Sequence, residues 1–287
     1  MKHAFLIGAY KNPDYLKSLI FSLLSENSNI YVHINKYNES QFVGLKQYFS
    51  SYDNVSFYSQ INVQWGGITF LESIELMLEK ALMNADNGYF HLITGQDILI
   101  KPLEKLFDFF EQHKGESFID YKPMSDKWYN RYFHYHLWDV LDMRNHKLLR
   151  GIERVLDKMQ SIIGFRRSAL PFENLYAGLT WWSLYRDSAI YLNESLHDSK
   201  LHARLRHSFA PDEMIFQNIL LNSPKKFIIV NNNLRYLLFH GASPDELTIC
   251  DFEKLKNSDA FFARKIDAIK NADLYHKINK ELNKTEI

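Results

Sequence analysis

The chain of 287 residues is long enough for one large domain or two small ones, and its 46% apolar and 15% aromatic content excludes disorder and low complexity. Lys and Arg number 34 against 34 Asp and Glu, so the basic excess of a nucleic-acid-binding protein is absent and no nucleic-acid partner is expected. The single cysteine, Cys250, excludes an intramolecular disulfide and a cysteine-rich zinc site.

Met1-Lys2-His3 runs into a short apolar segment, Ala4 to Ala9, too brief for a signal peptide and read as a strand. Lys11-Asn12-Pro13 ends it, and Tyr15, Leu16, Leu19, Ile20, Leu23 and Leu24 then recur with helical period, with Asn12 or Asp14 as cap. Ile30 to Ile34 and Val55 to Tyr58 read as strands flanking a helix over Gln41 to Phe49. Leu71 to Ala85 carries Leu71, Ile74, Leu78 and Leu82 on one helical face, and Tyr89 to Thr94 is a fourth strand. Strands alternating with helices predict βαβ units and a mostly parallel sheet. Such sheets hold ligands at the carboxyl ends of their strands, which nominates loops 10–14, 35–38 and 95–101.

Residues 117–138, rich in Tyr, Trp and His, read as irregular structure. Residues 146–167 read as a helix with a basic face made by Lys147, Arg150, Arg154, Lys158, Arg166 and Arg167. Tyr176 to Tyr185 reads as a strand, Glu213 to Leu221 as a short helix, Lys226 to Val230 as a strand and the last thirty residues as amphipathic helix. No internal repeat or Gly/Ser linker divides the chain, which favours one continuous domain over 1–287.

Glycine-rich phosphate loops and metal-ligand spacings are missing. His134 and His136 read as structural or acceptor-contacting residues. Asp97 follows a strand end, Glu213 opens a helix beside the positive end of its dipole, and Arg264-Lys265 is a cation pair next to aromatics.

In order along the chain, Lys2-His3-Ala4-Phe5-Leu6-Ile7, Ile30-Tyr31-Val32-His33-Ile34-Asn35-Lys36, Val63-Gln64-Trp65-Gly66-Gly67 and Thr94-Gly95-Gln96-Asp97 are followed by Ala177 to Leu184 (AGLTWWSL), Pro211-Asp212-Glu213 and Phe262 to Asp267 (FARKID). This set resembles the core-2/I-branching β-1,6-N-acetylglucosaminyltransferase family, glycosyltransferase family 14, in a compact bacterial form. The resemblance covers roughly residues 2–267.

The resemblance implies an α/β, GT-A-like fold with a Rossmann-like, mostly parallel sheet. A nucleotide-binding half would span about 1–115, an acceptor half about 116–270 and a helical tail about 268–287. It implies an inverting transfer from a UDP-sugar, of GlcNAc or xylose, to a glycan or lipid-linked acceptor in surface-polysaccharide assembly, with no cofactor and no divalent metal. Glu213 is carried over as general base and Lys265, with Arg264 beside it, as the cation that stabilises departing UDP. Ala9, Tyr10, Asn35, Trp65 and Asp97 fall at the implied donor site, and Trp181, Trp182 and Asp212 at the implied acceptor site. Asn35 replaces the family's acid, Tyr10 its usual His and Leu99 its Pro, and Arg235 and His240 lie nearest to an expected upstream Arg. Pro244-Asp245-Glu246 reads as a turn. The family's animal members have disulfides and a membrane anchor that this chain lacks, so a cytoplasmic location is expected. Two other readings stand beside this one: a nucleotide-sugar-binding protein without catalysis, and a peripheral membrane scaffold using helix 146–167 and its Ile162-Ile163-Gly164-Phe165 tip.

Overall fold

A computed structural model describes residues 1–140, 143, 146–241 and 243–283. Its strands are β1 (Lys2–Ala9), β2 (Ser28–Ile34), β3 (Val55–Tyr58), β4 (Asn87–Thr94), β5 (Ile98–Leu99), β6 (Glu116–Ile119), β7 (Lys122–Pro123), β8 (Tyr176–Ala177), β9 (Trp182–Tyr185), β10 (Ile228–Val230), β11 (Arg235–Leu237) and β12 (Phe262–Arg264). Its α-helices are α1 (Pro13–Leu23), α2 (Val43–Tyr48), α3 (Ile68–Leu82), α4 (Leu103–Gln112), α5 (Asp126–Phe133), α6 (Lys147–Ile162), α7 (Arg186–Leu196), α8 (Ser199–Leu205), α9 (Ile215–Leu221), α10 (Phe252–Lys256) and α11 (Ala272–Ile278).

The expected α/β architecture is present. Seven strands form a sheet in the order β10-β6-β9-β4-β1-β2-β3. Parallel pairing joins β1 to β2 and β4, β2 to β3, and β10 to β6, while β9 runs antiparallel to both β4 and β6. Six of the seven strands therefore point the same way, and strands from beyond residue 115 continue the sheet begun by β1 to β4.

Alternation along β1 feeds a separate core on each face of the sheet. Ala4 and Leu6 pack with Leu71, Ile74 and Leu78 of α3, whereas Phe5 and Ile7 pack with Leu16, Leu19, Ile20 and Leu23 of α1. A third cluster joins Ile98 and Ala263 of a small sheet, ordered β11-β12-β5, to Leu274 and Ile278 of α11.

Several segments differ from the sequence reading. Residues 117–138 are ordered as β6, β7 and α5, elements too short to display a period. Tyr176 to Tyr185 is two strands interrupted at 178–181, and loop 95–101 contains β5. Residues 36–42 form a 3-10 helix ahead of α2. Pro211–Glu213 is a separate 3-10 turn, because Met214 (φ −144°, ψ −32°) breaks it from α9. Glu213 therefore does not stand in the first turn of an α-helix. The last thirty residues contain β12 before α11 and a π-helical turn at Asn279–Asn283. The final residues of the expected tail, 284–287, lie outside the described residues.

Candidate active site

The carboxyl ends of β1, β2 and β4 meet through local hydrogen bonds. Gly95 N–H donates to the Gly8 carbonyl (2.9 Å), and Asn35 N–H to that of Ala9 (2.8 Å). The Tyr10 hydroxyl donates to Gln96 Oε1 (3.1 Å). All three nominated loops thus lie along one sheet edge. Ala9 is buried, and its contribution to this edge is backbone.

Asn35 braces the neighbouring loop. Its amide donates to the Val63 carbonyl (2.8 Å), and its side-chain oxygen accepts from Val63 N–H and Tyr37 N–H (both 3.2 Å). That side chain is spent within the chain, where it holds the turn at Tyr37 against the loop at Val63. Trp65, two residues on, is half-exposed and packs edgewise on Trp138 and Phe209. Gly66 follows with φ +79°, and a Cβ there would lie 2.8 Å from the Phe209 ring. Backbone conformation and crowding both require glycine.

Asp97 is almost fully buried. It accepts from Thr94 N–H and lies 3.5 Å from the Arg264 guanidinium. Burial pushes the Asp97 carboxyl up, and the Arg264 charge opposes the shift. Arg264 also donates to Thr94 Oγ1 (3.0 Å) and lies over the Trp181 ring, 4.1 Å from its centroid. Asp97 and Arg264 are therefore largely committed to each other. The backbone of Lys265 is held on both sides: its N–H donates to the Asp245 carbonyl and its own carbonyl accepts from Leu247 N–H. The Pro244-Asp245-Glu246 segment thus supports the cation pair. The Lys265 ammonium has no ion-pair or hydrogen-bond partner among the described residues.

The break between β8 and β9 is the spine of the other side. Gly178 N–H donates to the Glu213 carbonyl (2.9 Å), and Thr180 Oγ1 to Asp212 Oδ2 (2.6 Å). Leu179 N–H donates to the Asp120 carboxylate. A Cβ on Gly178 would stand 2.2 Å from the Asp120 carbonyl oxygen, so only glycine fits. Four consecutive residues therefore connect the acidic turn at 211–213 to Arg264, which rests on Trp181.

Glu213 Oε2 is paired with Arg131 at 2.5 Å, and both side chains are partly exposed. The Arg131 guanidinium also stacks on Trp128 and Phe209. Burial pushes the Glu213 carboxyl up, and Arg131 partly restrains it. This differs from the expectation of a helix dipole holding the carboxylate ionised. Asp212 is pushed up to about 7, first by burial and then by the Glu213 charge. Asp120 is raised by burial as well and adds repulsion to Glu213.

Three expectations need correction. Trp182 is fully buried against Phe216 in the core and offers no face to a ligand. Asp212 is buried and bonded to Thr180, which makes it a support of the turn. Arg235 is also buried: it donates to the carbonyls of Leu92, Trp182 and Asn233 and to Ser183 Oγ, and burial lowers it to about 10. It locks β11 to the main sheet, while His240 pairs with Asp245 at the surface.

Sequence reasoning missed Arg131 and Asp120, both in the segment read as irregular. The adjacent aromatic run around Trp128 and Tyr132 was their one signal. It also missed Asp139, whose carboxylate accepts from Ile68 N–H at the start of α3 and from His207 N–H. His134 and His136 are structural: they pair with Asp157 and Glu153 of α6. Among the described residues no group of three or more His, Cys, Asp and Glu converges at a metal-sized spacing, and no helix is long and apolar enough to cross a membrane.

Residues 3–257 match the family model described as Core-2/I-Branching enzyme. Xylosyltransferase 1 of Rattus norvegicus is 22% identical over 294 residues, covering 93% of this chain and 34% of its own length. Xylosyltransferase oxt of Drosophila melanogaster is 22% identical over 287 residues, covering 88% of this chain and 30% of its own. This chain therefore spans about a third of the length of these relatives. The crystal structure of mouse xyloside xylosyltransferase 1 in its apo form superposes with a TM-score of 0.44 and 10% identity, over 92% of this chain and 97% of that one.

Proposed function

Because this chain belongs to the Core-2/I-Branching enzyme family, we propose that it is a glycosyltransferase moving a sugar from a UDP-sugar to a hydroxyl of a glycan or lipid-linked acceptor. The observation that carries the reading is the 178–181 connection. It ties the turn bearing Glu213 to Arg264, and this chain of contacts linking one carboxylate to the cation pair supports the reading.

The reaction is a single displacement with inversion. The acceptor oxygen attacks the anomeric carbon and its proton passes to Glu213, while the bond from that carbon to the diphosphate oxygen breaks and UDP leaves with the electron pair. Glu213 suits this role because burial raises its proton affinity, and its Oε1 has no hydrogen-bond partner among the described residues. Lys265 supplies the positive charge to the departing diphosphate. Arg264 contributes less, since Asp97 and Thr94 already hold it. The transfer proceeds without a divalent metal: the one acid of the 94–97 loop, Asp97, is turned to Arg264. Trp181 is mostly buried under Arg264, so sugar stacking falls to the half-exposed Trp65. The xylosyltransferase relatives make xylose the first donor to test and GlcNAc the second.

The test is UDP release from UDP-xylose and UDP-GlcNAc with glycan acceptors, with and without EDTA, for wild type and Glu213→Gln. Expected are release insensitive to EDTA and a loss of about 10²–10⁴ in rate for Glu213→Gln with UDP binding retained. A Glu213→Gln variant at wild-type rate would remove Glu213 as base, and EDTA-sensitive release would end the metal-free mechanism. A wild-type chain that neither releases UDP nor binds it overturns the reading altogether.

A further inference from the structure

Surface helices turn their apolar stripe to the core, and α6 does the reverse. Leu148, Ile152, Val155, Met159, Ile162 and Ile163 follow helical spacing along α6 and its end, yet each is between 50% and 78% exposed. The buried residues of the helix, Glu153 and Gln160, are polar. Glu153 accepts from His136 Nδ1 (2.6 Å) and from Leu137 N–H (3.2 Å), and Asp157 pairs with His134 (2.7 Å). Gln160 exchanges hydrogen bonds with the backbone of Tyr135 at 2.7 and 2.9 Å. This seam fixes the rotation of the helix, so the apolar stripe faces outward by construction.

Charge selects the occupant. Both acids of α6, Glu153 and Asp157, are spent on imidazoles at the seam. Lys147, Arg154 and Lys158 are exposed and lie on the helical wheel directly beside the apolar stripe. Arg166 and Arg167, part of the expected basic face, are held by partners within the chain instead, Arg166 while still exposed. Arg166 donates to His134, and Arg167 to the carbonyls of Arg204 and Arg206. An apolar stripe bordered along one side by cations is what an interfacial helix presents to an anionic bilayer. Alternating spacings of four and three between Leu148 and Ile162 would also suit a coiled coil with a second copy. In such a pair, however, cations flank the seam and α6 has no unpaired acid to meet them.

We propose that α6 is an in-plane docking helix, inserting Leu148, Ile152, Val155, Met159 and Ile162 into the headgroup boundary of an anionic membrane while Lys147, Arg154 and Lys158 contact the lipid charges. The seam carries this contact toward the cleft: Arg166 bonds Asn130, the neighbour of Arg131, on α5. Docking would therefore set the acceptor side of the site at the bilayer surface. Binding itself does not depend on the transferase reading, and its assay reads no turnover.

The test is flotation of the full chain with vesicles of phosphatidylcholine containing 30% phosphatidylglycerol (about one-third anionic lipid, as in an anionic leaflet), against vesicles of phosphatidylcholine alone. Binding to the anionic vesicles should exceed binding to the neutral ones at least tenfold and fall with added salt. Ile152→Ser/Met159→Ser, which replaces exposed side chains and should leave the melting temperature unchanged, is expected to abolish it. Arg154→Glu/Lys158→Glu should lower it at least tenfold. No binding by wild type, or binding equal in the Ser variant, overturns the proposal. Wild-type dimers that become monomers in the Ser variant, without vesicle binding, would make a second copy the occupant and overturn it too.

Discussion

The Arg264 guanidinium lies 4.1 Å from the centroid of Trp181, and the residue before that tryptophan, Thr180, donates to the buried carboxyl of Asp212. One short peptide thus couples Arg264 to the acidic turn at 211–213, while Lys265 beside it takes no part in that contact, so the two cations of the pair are separable by experiment.

Lys265→Ala removes a charge that no other group among the described residues uses. It should lower kcat/KM for transfer by about 10²–10³ and weaken UDP binding, while the melting temperature stays put. Arg264→Ala should instead lose about 3–5 kcal/mol of stability, because Asp97 is left buried without its partner. Thermal melts beside initial rates check both. Equal melting temperatures for the two variants would contradict the division of roles.

Gly178→Ala places a methyl group 2.2 Å from the Asp120 carbonyl. The backbone must shift, at a cost of about 1–3 kcal/mol, and the shift pulls on the Gly178–Glu213 hydrogen bond. Transfer should fall more than stability alone explains, and rates measured well below the melting transition read that difference.

Sequence legibility followed the physics of each segment. Strands β1, β2 and β4 are apolar runs because helices cover both faces of the sheet, so hydrophobicity alone located them, and the alternating helices predicted the parallel sheet. Asp97, Glu213 and Lys265 stood out because their neighbours match a family's motifs. Arg131 and Asp120 did not, since they act through α5 and β6, whose few residues are ordered by tertiary contacts. Trp181 and Trp182 are adjacent in sequence and both buried, but β9 starts between them, so Trp182 packs on Phe216 in the core and Trp181 lies under Arg264. On α6 the basic residues were legible. The outward rotation of the apolar stripe was not, because it depends on hydrogen bonds to Tyr135, His136 and Leu137 from a segment without periodicity.

The Arg131–Glu213 pair predicts a pH profile. In the proposed mechanism Glu213 works deprotonated as the base, so kcat/KM should fall as pH drops through the Glu213 pKa, which burial holds above the ordinary carboxylate value of 4.5. Arg131 opposes that rise. Arg131→Gln should therefore move the acid limb to higher pH and lower the rate at neutral pH, with part of the rate recovered as pH increases. A limb that stays in place would show that Arg131 does not set the proton affinity of the base.

Asp212 gives the matching prediction for stability. An unfolded chain ionises this carboxyl near 3.8, whereas the fold holds its proton up to about 7. Between those values the folded chain binds more protons, so the contribution of Asp212 is fully present below about pH 4 and is lost as pH rises toward 7. Asp212→Asn keeps an oxygen acceptor for Thr180 and cannot ionise. Its stability relative to wild type should therefore rise from pH 4 to pH 7, as read by urea denaturation at each pH. A difference that is flat across this range would mean that Asp212 ionises normally in the folded chain. Thr180 and Arg131 would then outweigh the burial and the adjacent Glu213 charge that raise it.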